Sequence, residues 1–138
     1  MTPDIDPRYR PVVDELRQAL GDAIAVYVFG SAAQGTAHRA SDLDIGVLAP
    51  RRLSPTERFD LQERLAGLLG QDVDLVDLAA ATPVMAVQVV ARGHLLYDGA
   101  PVARGAFEDL TLSTYARLNE ERRGILERIA AEGTVYGR

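Results

Sequence analysis

Residues 29–46, "FGSAAQGTAHRASDLDIG", decide how the rest of the chain is read. Just before them, "AVYVFG" (25–30) is a run of β-branched and aromatic residues that reads as a buried strand stopping at glycine. The next stretch, "SAAQGTAHRAS", has neither a strand nor a helix period. In "DLDIGVL" (42–48), Leu43, Ile45 and Val47 alternate with Asp42, Asp44 and Gly46. One strand face is apolar, and the other exposes two carboxylates whose Cα atoms lie about 7 Å apart. Acids that close repel one another, so the spacing predicts a positive group held between them.

Working outward, Val12, Val13, Leu16, Ala19 and Leu20 recur at helical spacing from Pro11 to about Leu20, with Gly21 as a stop. "LSPTERFDLQERLAGLLG" opens a second helix with Ser54 as N-cap, Pro55 in the first turn and Glu57 closing a capping box. Phe59, Leu61, Leu65, Leu68 and Leu69 are its expected apolar side, and Gly70 ends it. "QDVDLVDL" alternates again, a third strand with acids on one face. Thr82 and Pro83 start a helix running through Val90, and "HLLYDG" (94–99) reads as a short strand or an extended connector. From about Val102 to Ala131 the composition is helical, with Phe107, Leu110, Leu118, Ile125, Leu126 and Ile129 as an apolar stripe and Gly105 and Gly124 as weak points. Strands separated by helices predict an α/β (α+β) domain with a mixed sheet. All 138 residues are expected to form one domain, its core at about 11–100 and a helical segment at about 101–131.

Composition narrows the chemistry. Cysteine is absent, which removes disulfides, thiolate nucleophiles and sulfur-ligated metals. His38 and His94 are the only histidines and are far apart in sequence. All fifteen basic residues are arginine, so neither a Walker lysine nor a Schiff base is available. The net charge of −5 disfavours unspecific attraction to nucleic acid. No apolar run is long enough for a bilayer, and charges interrupt the first twenty residues; the expectation is a cytoplasmic protein.

If the second and third strands are neighbours, Asp42, Asp44 and Asp74 converge on one rim. Such an oxygen donor set suits Mg²⁺, which takes carboxylates, water and phosphate oxygens. A metal pair would hold a nucleoside triphosphate and stabilise charge during in-line transfer. Gly30 permits close backbone approach at the strand end, and Ser31 offers a hydroxyl and an N–H to phosphate oxygens. Ser31 is not read as a nucleophile, because no Ser-His-Asp arrangement accompanies it. Asp74, bracketed by Val73 and Leu75, is the preferred third acid; Asp72 shares its face, and Asp77 reads as a strand-end or capping residue. His38 and Arg39 read as solvated loop residues, and Tyr97 and Tyr115 as packing residues of a core or interface.

"GSAAQGTAHRASDLD" resembles the nucleotidyltransferase pattern of the polymerase-beta-like superfamily, in which Gly-Ser precedes an Asp-x-Asp pair by ten residues, and "VDLV" (73–76) is similar to its third-acid strand. The resemblance covers roughly 25–78. It implies the minimal nucleotidyltransferase fold, with Gly30 and Ser31 holding the triphosphate, Asp42, Asp44 and Asp74 binding Mg²⁺, and Asp74 helping to activate the incoming hydroxyl.

The small size and the C-terminal stretch further resemble the MntA-type antitoxins of HEPN/MNT pairs. That implies transfer of AMP from ATP to a tyrosine hydroxyl of a HEPN ribonuclease toxin, with release of pyrophosphate. Two other functions stay open: an antitoxin acting by binding alone, and a nucleotidyltransferase acting on a small hydroxyl compound. The C-terminal helical face also admits a homo-oligomer.

Overall fold

A computed structural model describes residues 6–30 and 42–131. After a single 3-10 turn at Pro7–Tyr9, the elements run α1 (Arg10–Ala19), β1 (Ala25–Phe29), β2 (Leu43–Leu48), α2 (Pro55–Leu69), β3 (Val73–Asp77), α3 (Pro83–Arg92), β4 (His94–Asp98) and α4 (Pro101–Ala131). The four strands form one sheet in the order β3-β2-β1-β4. β1 is antiparallel to β2 and to β4, whereas β2 and β3 are parallel. The expected mixed sheet flanked by helices is therefore the architecture, and "HLLYDG" is a strand.

Alternation sorts the strand residues between two cores. Val26, Val28, Leu43, Ile45, Val47, Val73 and Leu75 point to one face and pack with Val12, Val13 and Leu16 of α1 and Leu61 and Leu65 of α2. Ala25, Tyr27, Phe29 and Leu48 point to the other, beneath Met85 and Val89 of α3 and Phe107 of α4. Gly46 belongs to this second face. It is covered, contrary to the expectation of an open face: a Cβ there would lie 3.3 Å from both Leu78 and Val89 side-chain carbons, so glycine lets α3 sit close to the sheet.

The helix ends follow local chemistry. Ser54 accepts from the Glu57 N–H at 3.1 Å while Glu57 accepts from the Ser54 N–H, and Gly70 closes α2 in a left-handed conformation. Thr82 caps α3 by accepting from the Met85 N–H. Two expected core positions of α2 are not core: Phe59 and Leu68 are 52% and 54% exposed, because the buried stripe of α2 runs through Leu61 and Leu65 with Ala66 and Leu69 at its margin.

α4 is the expected C-terminal helical segment. It continues through Gly105 and Gly124 as one helix of 31 residues. Its first turns are tied down: Arg104 lies 2.9 Å from Asp98 of β4 and 2.8 Å from Glu108, and the Tyr27 hydroxyl donates to Glu108 at 2.8 Å. Beyond Tyr115 the apolar stripe finds no cover within the described chain, and Leu118, Ile125, Leu126 and Ile129 face solvent. Among the described residues, no helix is long and apolar enough to cross a membrane.

Candidate active site

Parallel pairing of β2 and β3 sets Asp44 directly beside Asp74, and antiparallel pairing sets Phe29 of β1 on the other side of Asp44. The residue after Phe29 is Gly30, whose φ of 72° lies in the left-handed region. Three strand ends thus meet at Asp44: a glycine turn on one flank and a second acid on the other. Asp44 is half-buried and Asp74 exposed.

These residues form one end of a cleft of about 690 Å³. Its other wall comes from α3 and α4, including Met85, Gln88, Arg92 and Tyr115. Asp42, immediately before β2, is exposed and outside the cleft lining, yet its charge reaches Asp44. Asp72 is also exposed and outside the lining; its carbonyl accepts from the Leu43 N–H at 2.9 Å. Asp77 is buried, and its carboxylate accepts from the Leu53 N–H at 2.8 Å and the Ala79 N–H at 3.1 Å, a capping role that joins the end of β3 to the entry of α2. Ser31, with Gly35, His38 and Arg39, lies outside the described residues.

Electrostatics at Asp44 are unfavourable by themselves. Burial pushes its carboxyl up from the ordinary value, and the charges of Asp74 and then Asp42 push it the same way. A divalent cation would reverse both charge effects. Among the described residues, no three acidic or histidine side chains are gathered closely enough to hold an ion alone. The donor set still fits magnesium in kind: hard carboxylate oxygens on adjacent strands leave most of the shell to water and phosphate.

Tyr115 and Gln88 were not among the candidate residues from sequence, although both line the cleft. Val84, Gln88 and Ala91 recur at helical spacing on the side of α3 away from buried Ala86 and Val89. This second stripe was available as a signal, but only the packing of α4 on α3 turns it into a wall.

The polymerase beta nucleotidyltransferase family matches residues 13–101. A protein adenylyltransferase MntA from Shewanella oneidensis is 40% identical over 120 residues, covering 87% of this chain and 86% of that one. Among solved structures, a toxin-antitoxin complex with AMP-PNP matches at a TM-score of 0.77 and 39% identity, covering 86% of this chain and 95% of the other. An MNT antitoxin in complex with the tri-AMPylated Shewanella oneidensis HEPN toxin matches at 0.74 and 33%, covering 89% and 96%.

Proposed function

The chain belongs to the polymerase beta nucleotidyltransferase family, as a homologue of the MntA-type antitoxins, and on that premise we propose that it transfers AMP from ATP to a tyrosine hydroxyl of a cognate HEPN toxin. The observation that carries the reading is the register of Asp44 with Asp74 at the end of a cleft beside Gly30. Support for the nucleotide and the partner comes from the similar antitoxins solved with AMP-PNP and with an AMPylated HEPN toxin. The requirement for ATP supports a cytoplasmic location.

In this mechanism Gly30 and Ser31 hold the triphosphate, through backbone approach and through hydroxyl and N–H donors. Asp42 and Asp44 would hold Mg²⁺ with Asp74 as the third acid; the ion, when bound, supplies positive charge for the phosphates. The tyrosine oxygen attacks the α-phosphorus. Its O–P bond forms as the α–β bridge breaks, and pyrophosphate leaves with that electron pair. Asp74, exposed and lining the cleft, helps draw the phenolic proton away and passes it to water.

Intact mass spectrometry of the toxin after incubation with this protein, ATP and Mg²⁺ tests the proposal. Addition of one or more AMP groups, absent with an Asp42→Asn/Asp44→Asn control, is the expected result. An unmodified toxin that is still silenced in a complex would favour inhibition by binding alone. Modification of a small hydroxyl compound without toxin would favour the third function.

A further inference from the structure

Among the described residues β3 is an edge strand, with β2 on one side only. The Asp72 carbonyl and the Leu78 N–H point to β2, where they bond Leu43 and Val47. By the alternation of a parallel ladder, Asp74 also directs its backbone toward β2 and Leu75 directs its backbone outward. An outward N–H and C=O at an edge would ordinarily be left to water.

At Leu75 both are taken by side chains of α2. Gln62 Oε1 accepts from the Leu75 N–H at 2.9 Å, and Arg58 Nη1 donates to the Leu75 carbonyl at 3.1 Å. Arg58 Nη1 also donates to Gln62 Oε1 at 3.0 Å, so the three groups close a ring. Because both neighbours of the amide oxygen are donors, the orientation of the Gln62 amide is fixed by its surroundings. The pair presents an acceptor and a donor where a further strand would present its own.

We infer that Gln62, supported by Arg58, is a positioning residue that holds β3 in place so that Asp74 stays beside Asp44. The need is electrostatic. Two carboxylates aligned on neighbouring strands push those strands apart, and among the described residues β3 has no strand behind it to resist. The clamp sits on the residue next to Asp74 and supplies that resistance from α2, whose own position is set by the Leu61/Leu65 core. Side chains that orient a ligating carboxylate in this way act on metal affinity without touching the metal.

The inference rests on Asp74 being the third acid, and the test separates the two claims. Mn²⁺ affinity is measured by electron paramagnetic resonance in the presence of a non-hydrolysable ATP analogue, with exchange of the Leu75 amide proton and thermal unfolding alongside. Gln62→Met should speed Leu75 exchange and weaken Mn²⁺ binding by roughly ten-fold. Gln62→Glu, which keeps an acceptor for Leu75 and Arg58, should restore both, and Arg58→Met should give a smaller loss if Gln62→Met does not fold. In an Asp74→Asn background Gln62→Met should leave Mn²⁺ affinity unchanged. Unaltered affinity in folded Gln62→Met, or a lower melting temperature as its sole effect, overturns the positioning role. If Asp74→Asn alone leaves Mn²⁺ binding and AMP transfer intact, the assignment of Asp74 fails, and the inference with it.

Discussion

The Asp44 carboxylate occupies the space that a side chain at residue 30 would need: a Cβ built on Gly30 overlaps Asp44 Oδ2. The same glycine holds a φ of 72°, so it is required twice, once by the backbone and once by its neighbour. The turn that ends β1 and the acid on β2 are thus one structural unit, although thirteen residues separate Gly30 from Asp44 in the chain.

Gly30→Ala therefore strains the turn and pushes Asp44 aside. Denaturant unfolding should show a loss of about 1–2 kcal/mol from the left-handed conformation. AMP transfer should fall by about 100-fold or more, as expected when a reacting group is misplaced by an ångström. A melting temperature and a transfer rate both equal to those of the parent would refute the coupling.

Asp44→Asn removes a charge that the metal-free fold holds against two other acids. Transfer should fall by roughly three orders of magnitude if Asp44 holds the metal, while the metal-free protein should be more stable than its parent at neutral pH. The sign follows from the raised carboxyl pKa. The folded state favours protonated Asp44, and that stabilisation is complete below the unfolded value of about 3.9 and lost as pH rises through the folded value. Urea midpoints of variant and parent in chelator should converge below about pH 3.9 and separate as pH rises.

Tyr27→Phe deletes the hydroxyl that donates to Glu108 and joins β1 to α4. A cost of about 1 kcal/mol is expected in equilibrium unfolding. Burial, then the hydrogen bond and the charge of Glu108, raise the Tyr27 hydroxyl far above the ordinary tyrosine range. Stability from this group is therefore complete below about pH 10 and falls above it, as tyrosine in the unfolded chain begins to ionise. Loss of that alkaline sensitivity in Tyr27→Phe is the check.

Ile125 and Ile129 are 47% and 53% exposed on the part of α4 that leaves the body of the domain. Changing both to glutamate should shift unfolding of the isolated protein by no more than about 0.5 kcal/mol. Co-purification of the HEPN toxin should drop if this face takes part in the complex, and gel filtration of the mixture distinguishes the outcomes. Full complex formation by the double variant would place the toxin elsewhere.

Most elements were legible because their signals are local. Ser54, Pro55 and Glu57 specify the start of α2 within four residues, and the alternations at 42–48 and 72–78 reveal strands whose buried faces need no knowledge of their partners. Phe59 and Leu68 lie outside the core, which helical spacing does not reveal because it identifies an apolar side without its width; the buried stripe runs through Leu61 and Leu65 with Ala66 and Leu69 at its margin. The lining from α3 and α4 is not legible in the sequence, since Gln88 and Tyr115 come to share a cleft with Asp44 only through packing between elements distant in the chain.

The sequence by itself determined the chemistry available: oxygen donors and arginines, no thiols or lysines, and an acid pair at a set distance from Gly30 and Ser31. These are properties of residue type and short-range period, which survive without a fold. The tertiary structure decided which acids meet. Parallel pairing of β2 with β3 brings Asp74 beside Asp44 and leaves Asp72 outside the cleft, and the α2 side chains at Leu75 complete the edge of the sheet. Those choices depend on strand register and backbone hydrogen bonds between segments some thirty residues apart, a relation that local sequence patterns do not encode.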